Sequence, residues 1–291
     1  MTINIRMKAV KNITIIISLV ISSIVFSSSV IFKSQQETFQ SLVSFSESKI
    51  AKDNLPSNPS SAFKEGEVLT YRLHYGIIEA GIAVLEVKPE VIDVSGRKVY
   101  HIVGNGYTKG ACDLFFKVRD RYETYLDKDA MVPWMFVRRV EEGGYKFNQD
   151  YTFNHYTKKV DVGGGEKFDV PAGVQDMLSS FYAARNLDFT NAKEGDIFSL
   201  ASFIDKELWP LKIRYIGRET INTDLGKFQS LKFRPIVQKG RVFKKEEDLN
   251  VWISDDKNHI PLRAQAKVLI GSIKLDITNV SNLANATSKV K

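Results

Sequence analysis

The chain has 291 residues, 43% hydrophobic and 26% charged, with a formal net charge of +7 and one cysteine. This is globular composition, enough for one large domain or two small ones, and a single cysteine excludes an intrachain disulfide. The positive excess is local: residues 1–36 hold Arg6, Lys8, Lys11 and Lys33 and no acids, which leaves 7 − 4 = +3 for the rest and removes the main support for a nucleic-acid partner.

In chain order, the first element is a leader. Basic residues precede the uncharged run 13–32, "ITIIISLVISSIVFSSSVIF". Its densest part, 13–26, has the length of a signal-peptide core, and Ser27, Ser28 and Ser29 come next as small residues for cleavage. The whole run is also long enough to span a bilayer. Residues 1–32 are therefore a signal peptide or a retained N-terminal membrane anchor, and both readings export the remainder of the chain. No cysteine directly follows the run, since the only one is Cys112, which excludes a lipid-modified N-terminal cysteine there. Residues 33–62 form a polar linker, with one weak amphipathic stretch at 39–50.

From residue 63 the texture becomes strands and turns. "GEVLTYRLHYG" sets Leu69, Tyr71, Leu73 and Tyr75 against Val68, Thr70, Arg72 and His74, the period-two pattern of a half-buried strand. About a dozen such segments continue in series, joined by Gly-rich turns, with no regular strand–helix alternation, which argues against a parallel doubly wound sheet. One helix interrupts them. "PAGVQDMLSSFYAARNLDF" places Val174, Met177, Leu178, Phe181 and Ala184 at helical spacing. The expected fold is all-β: a large curved antiparallel sheet or partly open barrel over 63–282, with one central amphipathic helix packed on it. Residues 283–291 are expected to be a disordered tail.

Four stretches in this order, "FKEGEVLTYRLHYGIIEAGIAVLEV", "VRDRYETYLD", "VQDMLSSFYAAR" and "VWISDDKNHIPLR", resemble DUF3108, an uncharacterised family of exported bacterial proteins. The resemblance implies an envelope protein built mainly of antiparallel strands. It implies no catalytic mechanism.

Asp255 and Asp256 form the tightest acidic pair, but "SDDKNHIP" is a turn composition, with Pro261 fixing the exit. "YLDKDAMVP" at 125–133 repeats the pattern with its Pro one residue nearer, so both read as one structural device. Asp120 shares a strand face with Val118, Tyr122, Thr124 and Leu126 and needs a partner there. Arg185 could supply it, as an ion pair pinning helix to sheet or as the polar end of a ligand cavity with Tyr182 and Trp134. Asp176 could pair with Arg119 or Arg121 or cap the helix. The four histidines lack any metal-ligand spacing, and no nucleophile elbow or P-loop is present, so no catalytic residue, metal or cofactor is assigned. Arg138–Arg139 and the run 241–245 read as solvated faces, or as contacts to anionic lipid. The sequence thus points away from an enzyme. It favours an exported periplasmic or cell-envelope protein holding a lipid-like or amphipathic ligand between sheet and helix; the alternative is an envelope assembly partner docking through a sheet edge, and a distant third is a hydrolase with an unrecognised site. The membrane enters through the N-terminal segment.

Overall fold

The computed structural model describes residues 55–236, 249–267 and 271–290. The leader, residues 33–54 of the linker and the basic run 241–245 lie outside the described residues. Sixteen strands occur in the order β1 Val68–Tyr75, β2 Ile78–Val94, β3 Arg97–Thr108, β4 Arg119–Asp127, β5 Pro133–Glu142, β6 Tyr145–Asn154, β7 Lys159–Asp161, β8 Lys167–Asp169, β9 Ile197–Leu200, β10 Phe203–Ile204, β11 Glu207–Leu208, β12 Leu211–Thr223, β13 Gly226–Pro235, β14 Leu249–Ser254, β15 Pro261–Lys267 and β16 Ser272–Ser281. Among the described residues two helices, α1 Gly110–Phe115 and α2 Met177–Ala184, interrupt them. The protein is mainly β, as expected, and among the described residues the short helix α1 adds to the one helix expected between the strands.

Among the described residues, fourteen strands make one antiparallel sheet in the order β8-β7-β6-β5-β4-β3-β2-β1-β16-β15-β14-β13-β12-β9, and β10 pairs with β11 separately. The chain enters at the middle of this sheet, between β2 and β16. It walks outward to the β8 edge, crosses to the β9 edge through residues 170–196, and walks back to β16 beside its own start. Laid flat, this sheet would be roughly 60 Å wide, while the helix in the crossover advances only about 12 Å. The residues after β9 show how far it curls: the Phe203 ring lies 5.4 Å from Phe168 of β8 and 5.4 Å from Tyr151 of β6, and Lys206 N–H donates to the Tyr151 hydroxyl at 3.1 Å. No hydrogen-bonded strand pairing joins β8 to β9 among the described residues, so the barrel stays open.

The alternation read from the sequence orients the strands correctly. Leu69, Tyr71 and Leu73 are the buried face of β1, and Asp120, Tyr122, Thr124 and Leu126 that of β4. The interior below α2 is packed with Tyr122, Phe136, Tyr151, Phe153, Leu178, Tyr182 and Phe203. A second cluster, with Trp252, Leu262 and Ile277, fills the other half of the curve.

The helix differs from its expected stripe. It runs only Met177–Ala184, Phe181 is exposed, and Met177 and Ala184 are half-buried. The buried face is Leu178, Ser179, Ser180, Tyr182 and Ala183. Counting apolar residues misses it because the serines are hydrogen-bonded inward: Ser180 donates to the Asp176 carbonyl at 2.6 Å and meets the Ser202 hydroxyl at 2.7 Å. Asp176 is the N-cap, not an arginine partner. Its Oδ1 accepts from Leu178 and Ser179 N–H, both at 2.7 Å, its own N–H donates to Ser179 Oγ at 2.8 Å, and its Oδ2 accepts from Thr124 of β4 at 2.6 Å. One carboxylate thus starts the helix and fastens it to the sheet.

The expected disordered tail is docked over 283–290. Asn258 N–H2 donates to the carbonyls of Asn285 and Ala286, Asp256 Oδ2 accepts from Ser288 N–H at 2.6 Å, and Val290 N–H donates to Lys227 O at 2.8 Å. Backbone partners offered by the β14–β15 turn outweigh the tail's polar composition.

Replacing Asp176 by Ala should lower the unfolding free energy by about 2–4 kcal/mol, from the lost cap and the orphaned Thr124 hydroxyl. Urea unfolding checks this, and a loss under about 0.5 kcal/mol would contradict the dual role.

Candidate functional site

Two hairpin turns bracket the crossover helix. The β4–β5 turn and the β14–β15 turn share one design. In each, a bulge sets the strand end opposite a proline, Leu126 against Pro133 and Ile253 against Pro261. Two residues before that proline, a non-glycine residue takes a left-handed backbone: Met131 at φ 54° and His259 at φ 44°. In each an aspartate collects backbone donors. Asp127 accepts from Asp129 and Ala130 N–H, and Asp256 accepts from Asn258 N–H. The second turn is one residue longer, its closing bond running from Ser254 N–H to Ile260 O where the first runs from Asp127 N–H to Val132 O. Asp255 and Asp256 are therefore turn residues as expected, each with a clasp: Asp255 pairs with Arg218 at 2.9 Å.

Each turn holds one end of α2. Before the helix, Gln175 donates to Met131 O at 3.0 Å. After it, Arg185 Nε donates to Asn258 O at 2.9 Å, and His259 Nδ1 lies 2.7 Å from Arg185 O. Arg185 does not meet Asp120. It is buried and forms a forked pair with Glu67, Nη1 to Oε1 at 2.6 Å and Nη2 to Oε2 at 2.8 Å, and Nη2 also reaches Ala62 O at 3.1 Å. Its guanidinium lies over the rings of Phe63 and Tyr182, each centroid 5.3 Å away. Burial works against the charge, but Glu67 outweighs it and holds the Arg185 pKa above its ordinary value. Sequence reasoning missed Glu67, although it lies two residues before Leu69 on the buried face of β1.

Asp120 lies elsewhere. Its Oδ1 accepts from Glu141 N–H at 3.1 Å. Burial, then the neighbouring Glu142 carboxylate, pushes its pKa up to about 7. Arg138, expected on a solvated face, is 0% exposed. It donates to Asp205 at 2.9 Å and stacks over Tyr122 and Phe147. Its alternation with Phe136 and Val140 carried the signal. Arg139 pairs with Asp150 and Arg119 with Asp113, both on the surface. Trp134 stays away from Arg185: its Nε1 donates to Asp127 at 2.9 Å and its ring meets His155. Among the described residues no group of His, Cys, Asp or Glu has the arrangement of a metal site. The sequence candidates Asp120, Arg185, Tyr182 and Trp134 therefore do not form one site.

A groove of about 520 Å³ opens where α2 ends. The crossover residues 185–190 form one wall and the β14–β15 turn the other, with Arg218, Leu231, Ser61 and Asn285 completing it. Its floor is apolar: Phe189 and Leu231 are buried, and the Phe189 ring packs edge-on to His259 at 5.1 Å. Its rim is polar and of both signs, with Arg218, Lys257 and His259 beside Asp188, Asp255 and Asp256. Asp188, bonded by Thr190, has its pKa held below the ordinary carboxylate value.

An open antiparallel barrel crossed by one helix, with a groove at that helix's end, defines an architectural class rather than a chemistry. The chain belongs to DUF3108, described as a protein of unknown function, whose family model matches residues 70–278. Among curated proteins none matches. The chain is similar to a β-barrel-like protein of the DUF1849 family from Brucella abortus, 11% identical over 76% of this chain and 99% of that one, with TM-score 0.49. It is also similar to a Bacteroides fragilis protein described as exported with a YmcC-like fold, 12% identical over 78% and 100% of the chains, with TM-score 0.30. A Parabacteroides distasonis protein described as a lipoprotein is 12% identical over 79% and 100%, with TM-score 0.29.

Because folded Asp120 binds its proton more tightly than in the unfolded chain, it makes stability fall as pH rises from about 4 to about 7. Replacing Asp120 by Asn should leave stability nearly unchanged at pH 4 and raise it by about 2–4 kcal/mol at pH 8, at 1.36 kcal/mol per unit of pKa. Thermal unfolding across this range checks it, and equal losses at both ends would contradict the assignment.

Proposed function

We propose that this chain is a non-enzymatic, exported cell-envelope protein that holds an amphipathic small molecule in the groove at the end of α2. The reading relocates the site from the space between sheet and helix, which aromatic side chains occupy, to the mouth beside Arg185. The observation that carries it is the groove itself. Its volume of about 520 Å³ falls in the range of small-molecule sites, and Leu187, Phe189 and Leu231 supply the apolar part of an otherwise polar lining. A rim of both signs suits a zwitterionic or hydrogen-bonding head more than a simple anion. Export rests on the basic flank and apolar run of residues 1–32. Among the described residues no helix is long and apolar enough to cross a membrane.

The edge-docking alternative has less support. The sheet edges are β8, three residues with Lys167 and Asp169 at its ends, and β9, four residues. The short β8 edge, charged at both ends, discourages strand addition, whereas β12 reaches past the uncharged β9 with no outer strand partner over Gly217–Thr223 among the described residues.

The exposed Thr190 lines the groove, so Thr190→Trp should fill it without touching the core. The purified full chain is expected to bind a fluorescent lysophospholipid, and the variant to bind it at least tenfold more weakly at unchanged melting temperature. No uptake by the unmodified chain, or equal uptake by both, would remove the groove as the site.

A further inference from the structure

The end of the sheet opposite the groove carries bare apolar side chains. Ile77, at the β1–β2 turn, is 103% exposed, and Ile78 beside it is half exposed. On α1, Leu114 is 87% and Phe115 78% exposed. The two protrusions are neighbours, because Lys109 N–H donates to Ala80 O at 3.1 Å and Gly81 pairs with Thr108.

These side chains are displayed by a fastened frame. Phe116 turns inward against Gly143, where a side-chain carbon would lie 2.4 Å from its ring. Gly143 N–H donates to Lys117 O at 2.8 Å. Asp113 accepts from Arg119 at 2.7 and 3.0 Å and from the Thr108 hydroxyl at 2.6 Å, so that acid is spent internally. Lys109 and Lys117 remain exposed on the flanks, against the single exposed acid Glu79.

We infer that this tip is a membrane-docking surface that inserts Ile77, Ile78, Leu114 and Phe115 into the interfacial region of a bilayer containing anionic lipid, with Lys109 and Lys117 at the headgroups. Four apolar side chains on two convex fingers offer on the order of 500 Å², below the roughly 800 Å² per partner of a stable protein interface. Convex fingers also mate poorly with a copy of themselves, whereas a fluid interface closes around them. Apolar tips ringed by lysine match the composition of interfacial anchors. The inference stands independently of the groove.

The chain's lone cysteine, Cys112, lies on α1, so a thiol-linked, environment-sensitive dye there reports the tip and not the leader. The test uses the full chain in phosphatidylcholine vesicles with roughly 30% phosphatidylglycerol, with and without spin-labelled quencher lipid. The dye should shift to the blue and be quenched. Ile77→Glu with Phe115→Glu should cut quenching at least tenfold while leaving the melting temperature unchanged, since both side chains are exposed. A dye that reads as aqueous in the unmodified chain, quenching that survives both substitutions, or a Cys112–Cys112 cross-link between copies replacing quenching would each overturn the inference.

Discussion

The guanidinium of Arg185 gathers three parts of the chain that are distant in sequence. It closes a fork on Glu67, at the entry to β1, and donates to Asn258, in the turn between β14 and β15, from its own place at the end of α2. Two buried opposite charges are seldom a large net gain, because desolvation offsets most of their attraction. What such a pair does is penalise every arrangement in which either partner loses the other. Here that penalty falls on any displacement of the crossover relative to the middle of the sheet, and the rest of the architecture relies on that fixed point.

The topology makes this fixed point necessary. A meander that starts at the middle of a sheet, runs to one edge and must resume at the other gains nothing from its nearest-neighbour ladders at the crossing. Ends far apart along the chain have to be brought together before the second half can pair. The two matched turns supply the brackets: Gln175 reaches Met131 O in the first, and Arg185 reaches Asn258 O in the second. The same device that ends a strand pair in each half also grips one end of the helix. The groove results from this arrangement, as the space left where the chain leaves α2 and passes the second turn.

The fold is largely legible in the sequence because strand alternation is a local pattern, and Leu69, Tyr71 and Leu73 or Tyr122, Thr124 and Leu126 declare their face without reference to anything distant. The turn role of Asp255 and Asp256 is legible for the same reason. The partners are not. Arg185 reads as a clasp between helix and sheet, which holds, but Asp120 offers itself as the carboxylate because that acid sits on an apolar face. Glu67 sits on one too, two positions before Leu69, and nothing local distinguishes which of two buried acids an arginine more than sixty residues from either will reach. Arg138 is misplaced when its charge is given more weight than its alternation with Phe136 and Val140. The helix face is hidden because Ser179 and Ser180 count as polar until their hydrogen-bond partners, Asp176 and Ser202, are in place.

The most direct test of this account is a double-mutant cycle between Arg185 and Glu67, using Arg185→Met and Glu67→Leu and following urea unfolding of the full chain. Each single change should cost about 3–5 kcal/mol by leaving one charge buried alone, and the double variant should recover a large part of that loss, giving a coupling of at least about 2 kcal/mol. Additive effects, with coupling below about 0.5 kcal/mol, would show that the crossover is held by something other than this pair.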